Sequence, residues 1–144
     1  MRTLFFIVCF LFVSPVWAQG TSSEPSNREE FLAFWEGFKD AVLNNDMDTV
    51  IELTEFPFKT RGVLDDDPEI EYTPDQFKLA WDRLLTIDPK TAELPTSMRE
   101  IVLSFDQWND QEILAGSVRI GDFLFHKTGG RWLFYFAYME TLTP

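Results

Sequence analysis

His126 is the only histidine in the 144 residues, and Cys9 is the only cysteine. A single histidine excludes a histidine metal cluster and any two-histidine mechanism. Cys9 falls in an apolar amino-terminal run, so nothing beyond it offers a thiolate nucleophile, a soft-metal ligand or a disulfide. A nucleophilic serine of the hydrolase type would need the strained G-x-S-x-G turn that exposes its hydroxyl, and the sequence contains none. Carboxylate acid–base chemistry remains. Asp106 or Asp122 would work with Tyr138 or His126 on a substrate held in a pocket. Such a carboxylate must be tuned towards neutrality by burial, because a general base works best near the operating pH.

Binding chemistry is the other possibility. Lys59 and Arg61 alternate on one segment, where they can hold an anion or pair with the acidic stretch that follows. Trp35 and Trp81 sit in aromatic stripes that serve either as core or as the lining of an apolar-ligand cavity. Asp65, Asp66, Asp67, Glu69 and Glu71 supply the oxygen ligands that calcium favours. Their spacing lacks the central glycine and the terminal glutamate of an EF-hand loop. They read as a solvated loop, and neither a metal nor a cofactor is expected. The chain carries 24 acidic and 12 basic residues, for a formal net charge of −12. That balance disfavours nucleic acid and anionic membrane surfaces, which attract cationic proteins. It favours solubility or a basic partner.

The elements that would position these residues follow from patterning. Arg2, the apolar run Leu4–Val13 and the small residues Val16 and Ala18 predict a signal peptide over 1–18, cut after Ala18. An apolar core of about ten residues is too short to span a membrane. Cys9 lies inside that core behind bulky Val8, which argues against lipid attachment, so no stable membrane anchor is expected after cleavage. Losing Arg2 moves the net charge from −12 to −13. Residues 19–26 read as a flexible polar leader, and 27–144 as a single domain. A helix is expected from about Asn27 to Asn45, with Phe31, Phe34, Trp35, Phe38 and Val42 on one stripe. A short helix capped by Asp48 follows, then a strand from Phe56 to Leu64 with Pro57 at its start. Thr73, Pro74 and Gln76 spell a capping box with proline at the first helical position. The stripe Phe77, Ala80, Trp81 and Leu84 continues that helix, and 87–97 reads as a loop. From Met98 the period becomes two, with Ile101, Leu103 and Phe105 alternating with polar residues. Further extended runs are expected at about Glu112–Lys127 and Arg131–Glu140, joined by a tight Gly129-Gly130 turn.

The aromatic first helix (FLAFWEGFKDAV), the turn from Asp46 to Leu53, the FPF strand start, the DQFKLAWDRLL helix and the closing GGRWLFYFAYME strand occur in a familiar order. That order resembles the nuclear transport factor 2-like fold, also described as cystatin-like, over about residues 27–142. Within that superfamily the chain is most similar to small exported bacterial proteins of no known activity. The resemblance implies an α+β fold: a cone in which a curved antiparallel sheet of about four strands packs on two to three N-terminal helices. It also implies pairing of two copies through the outer sheet face. Ketosteroid isomerases and polyketide cyclases of the superfamily place Asp, His or Tyr in the cone. No stretch here matches their catalytic motifs, so no catalytic residue carries over.

If Gly129-Gly130 is the two-residue loop, Phe125 faces Phe134, Phe123 faces Phe136, His126 faces Leu133 and Leu124 faces Tyr135. Side chains alternate faces, so the aromatic face of Phe123, Phe125, Trp132, Phe134 and Phe136 turns to the helices. The opposite face carries Asp122, Leu124, His126, Leu133, Tyr135, Ala137 and Met139. A bulge at Gly121 would change the parity of the residues before it. The second face is too apolar for water unless the 56–64 strand and loops 65–72 and 87–97 fold over it. It predicts a homodimer interface at Leu124, His126, Leu133, Tyr135 and Met139. The expected function is that of an exported, periplasmic or secreted, non-enzymatic domain binding a small ligand or an envelope protein. The alternative is an isomerase- or dehydratase-type pocket enzyme. Mass spectrometry of the protein recovered from the cell envelope should find a chain starting at Gln19. Recovery of intact precursor in the cytosol would contradict export.

Overall fold

The computed structural model describes residues 26–87 and 97–139. The signal segment, the leader up to residue 25, residues 88–96 of the expected loop and residues 140–144 lie outside the described residues.

Helix α1 (Asn27–Asn44) starts at a capping box in which Ser26 and Glu29 satisfy each other's backbone donors. It ends where Asn45 takes the left-handed conformation at φ 54°. Helix α2 (Met47–Glu52) is capped by Asp46 rather than Asp48, the carboxylate accepting from the Thr49 amide. Strand β1 (Thr54–Arg61) leads to the short β2 (Ile70–Tyr72). Pro57 is exposed in the middle of β1, within the stretch where its register against the neighbouring strand breaks. There its missing amide removes nothing from a regular ladder. Helix α3 (Pro74–Thr86) begins at the Thr73–Gln76 capping box, as its sequence predicts.

The expected strand from Met98 is a helix. Helix α4 (Met98–Ser104) is opened by a capping box of Ser97 and Glu100, and Met98 and Val102, four apart, are buried. The apparent alternation of Ile101, Leu103 and Phe105 gave way to this i, i+4 pair, supported at the cap. The expected run from Glu112 to Lys127 is also divided. Helix α5 (Asp110–Ala115) ends at left-handed Gly116, and β3 (Ser117–Ile120) and β4 (Phe123–Thr128) flank a turn at Gly121-Asp122. Gly121 has φ 56°, and a Cβ there would meet the Met98 sulfur at 2.8 Å. The glycine thus serves a turn and a close approach rather than a bulge. Strand β5 (Arg131–Tyr138) closes the chain's described part.

The α+β class holds, with a mixed sheet of five strands in the order β2-β1-β5-β4-β3 instead of an antiparallel one of four. It is mixed because β1 runs parallel to β5. The helices number five among the described residues, beyond the two or three expected.

One face of the sheet meets the helices through aromatic rings. Phe38 of α1 packs edge-on against Phe125 and Phe134, with centroids at 5.3 and 5.5 Å. Phe77 and Trp81 of α3 reach Phe58 at 4.8 Å and Phe134 at 6.3 Å respectively. Trp108, between α4 and α5, closes on Phe31 and Trp35 at 5.4 and 5.5 Å. Trp35 and Trp81 are core residues, 0% and 5% exposed.

The β4–β5 pairing begins as expected, with Lys127 opposite Trp132, His126 opposite Leu133 and Phe125 opposite Phe134. The register then shifts, so that Leu124 faces Phe136 and Phe123 faces Ala137. Tyr135 is the extra residue of a bulge in β5. Ala137 and Met139, expected on the outer face, are instead 0% and 3% exposed in the core, and Phe136 takes the outer side. The inner space beside Phe123 already holds Phe134 at 4.7 Å and Trp81 at 6.3 Å. An alanine fits there and a further phenylalanine would overpack it.

Truncating Trp35 or Trp81 to Ala should lower stability by about 3–5 kcal/mol, the usual loss for a buried large aromatic. Chemical denaturation is the measurement, and an unchanged midpoint in both variants would contradict the packing described.

Candidate functional site on the outer sheet face

The bulge sets which side chains share the face turned away from the helices. On β4 and β5 these are Leu124, His126, Leu133, Tyr135, Phe136 and Tyr138, all half-buried. Their ring contacts are with one another. Tyr135 stacks on His126 at 4.1 Å and 12°, and Phe136 meets Tyr138 edge-on at 5.2 Å. Strand β1 adds Glu55, Pro57, Lys59 and Arg61 by alternation, and β3 adds Ser117 and Arg119. Strand β1 is therefore part of the sheet and does not fold across it.

The polar groups on this face form two clusters at opposite ends of the strands. At the end near the Gly129-Gly130 turn, His126 Nε2 lies 2.7 Å from Glu55 Oε2, with Tyr135 stacked on the imidazole. Burial is the main cause raising the Tyr135 hydroxyl above its ordinary pKa, reinforced by Tyr138 and Glu55. At the other end, the Arg119 guanidinium covers the Tyr138 ring at 4.6 Å, within cation–π range. Its Nε donates to the Gly121 carbonyl at 2.9 Å, and Nη2 lies 3.4 Å from Asp122 Oδ1. Asp122 is 7% exposed. Its amide donates to the Met98 sulfur, and its carbonyl accepts from the Tyr138 amide at 2.9 Å. Burial pushes its carboxyl above the ordinary range, partly offset by Arg119.

The residues expected to carry acid–base chemistry are therefore not brought to one place. Asp122 and Tyr138 share one cluster, and His126 belongs to the other. Asp106 is exposed on the rim of a shallow cleft of about 240 Å³ with Ile101, Ser104, Phe105 and Gln107. Trp35 and Trp81 belong to the ring-packed core.

Lys59 and Arg61 separate in role. Lys59 bonds Glu69 at 2.7 Å and lies 3.4 Å from Glu71, and these acids raise its pKa. Arg61 has no acid partner: no carboxylate among the described residues forms an ion pair with its guanidinium, and its Nε is buried without a hydrogen-bond acceptor. An unsatisfied buried donor costs about 1–3 kcal/mol. The acidic segment holds Lys59 and its own turn, with Asp67 accepting from the Leu64 amide at 2.9 Å. Among the described residues no group of three or more His, Cys, Asp or Glu is arranged to hold a metal ion.

Glu55, Arg119 and Phe136 are the site residues that sequence reasoning missed. Arg119 was discoverable, because Val118-Arg119-Ile120 alternates once the strand is known to start at Ser117. Compared with known proteins, the chain matches no family model, no curated protein and no solved structure. No helix among the described residues is long and apolar enough to cross a membrane.

The raised Asp122 pKa makes a signed prediction. The folded chain holds the Asp122 proton more tightly than the unfolded chain, so this group's contribution favours folding at low pH. That contribution is lost as pH rises through the folded value. Asp122→Asn keeps an acceptor for Arg119 and removes the charge that burial disfavours. The variant should melt above wild type at neutral pH, with the advantage shrinking as pH falls towards the ordinary carboxylate value of 3.8. Thermal midpoints measured across pH check it, and an advantage that grows on acidification would reverse the assignment.

Proposed function

We propose that this chain is an exported, periplasmic or secreted, non-enzymatic binding domain of the cone-shaped nuclear transport factor 2-like kind. Its working surface is the outer sheet face, and a second copy of the chain is the first partner to fill it. The observation that carries this reading is the division of the aromatic residues by the β5 bulge. Rings fill the space between the sheet and the helices, while Tyr135, Phe136, Tyr138, Leu124 and Leu133 form an apolar surface on the far side. Contiguous apolar patches on a protein surface mark contact sites. The Glu55 cluster and the Arg61–Arg119 end lie at opposite ends of this face. The same face is where a small ligand or an envelope protein would bind.

A second reading, the isomerase- or dehydratase-type enzyme, draws on one observation: Asp122 is a buried carboxylate with a raised pKa beside Tyr138. Such groups cluster at catalytic sites. Against it stands the ring packing around Phe123 and Phe134, which occupies the space a pocket would need.

Light scattering on the processed protein at micromolar concentration should give twice the chain mass. Tyr135→Glu should return it to the monomer mass with unchanged circular dichroism. A wild-type monomer at high concentration would overturn the dimer.

A further inference from the structure

We propose that Arg61, Arg119 and Tyr138 form a binding site for a small carboxylic acid with a flat apolar body. The site lies at the end of the outer sheet face remote from the Gly129-Gly130 turn. The inference rests on reading that face as the working surface, and it names the chemistry the face would recognise.

Arg61 and Tyr138 are register partners on neighbouring parallel strands, so both side chains leave the same face side by side. Arg119 arrives from β3 on the other side and lies over the Tyr138 ring at 4.6 Å. Two guanidinium groups thus flank one phenol on a chain whose acids outnumber its bases 24 to 12. Each basic side chain nearby has been matched except one. Lys59 is held by Glu69 and Glu71, and Arg119 is fixed by the Gly121 carbonyl and Asp122. Among the described residues, Arg61 has neither an acid partner nor an acceptor for its buried Nε. A guanidinium with unused donors is a planar fork, and its complement is a planar, bidentate oxyanion.

The surroundings select among oxyanions. The net negative charge of the chain repels multiply charged anions such as phosphate dianions or polyanions more strongly than a monovalent carboxylate. The rings of Phe136 and Tyr138, 5.2 Å apart and set edge-on beside the fork, offer an apolar corner as the seat for the ring of the bound molecule. Arg119 supplies a second positive charge over that seat, already braced by the Gly121-Asp122 turn.

Benzoate is the probe, titrated into isotope-labelled protein while the Arg61 Nε–H and Tyr138 ring signals are followed. Saturable shifts of both signals at millimolar benzoate are expected, with inorganic phosphate clearly weaker. Arg61→Gln should raise the dissociation constant about tenfold or more, the weight of a charge-assisted pair. Arg119→Gln, at a more exposed position, should weaken binding less. Near-ultraviolet circular dichroism establishes that both variants remain folded. No saturable shift in folded wild type, undiminished binding in Arg61→Gln, or phosphate binding as tightly as benzoate would each overturn the site. Tyr135→Glu separates the two proposals. A chain that is monomeric in every form yet binds benzoate through Arg61 ends the dimer and keeps the carboxylate site.

Discussion

The rings of Phe38, Phe58, Phe77, Trp81, Phe123 and Phe125 all close on Phe134, with centroids between 4.7 and 6.4 Å. Contributions come from α1, α3 and the strands β1 and β4, so the position of this one residue on β5 fixes how the helix layer seats on the sheet. Aromatic pairs prefer edge-on and offset geometries, and a cluster of this density accommodates few alternative arrangements. The described chain has no cysteine to staple it, so this packing and its caps hold the fold together.

The same constraint generates the outer face. Phe134 must point inward, and strict alternation would then send Phe136 inward as well, against Phe123 and Trp81. The bulge at Tyr135 relieves that conflict by admitting Ala137 in its place. The surface consequence is an exchange: two small or flexible residues leave the outer row, and Phe136 and Tyr138 enter it. Core packing and surface character are here two outcomes of a single inserted residue.

What the sequence makes legible follows from where its signals are local. The Thr73-Pro74-Gln76 start, the α1 stripe and the Gly129-Gly130 turn each depend on residues within a few positions, and each stands in the structure as expected. Helix α4 was obscured because Ile101, Leu103 and Phe105 satisfy a period of two. The Ser97–Glu100 capping box that decides the matter spans only four residues. The β5 bulge and the parallel pairing of β1 with β5 were not legible. Both are settled by contacts between segments far apart in the chain, and no spacing records them. The candidate site divides in the same way: alternation from the Gly129-Gly130 turn puts Tyr135 and His126 on the outer face, where they stand, but sends Phe136 inward and does not single out Arg119.

The order of the strands puts β2 and β3 at the margins, and both are brief, Ile70–Tyr72 and Ser117–Ile120. Each carries one charged residue at or near its middle, Glu71 and Arg119. An unpaired strand margin is a template on which another chain can add itself and start a fibril. Short length and an embedded charge are the usual defences against that addition. By ending its sheet in two such margins, this ring-rich chain keeps its longer strands β1, β4 and β5 in the interior of the sheet, away from runaway self-association.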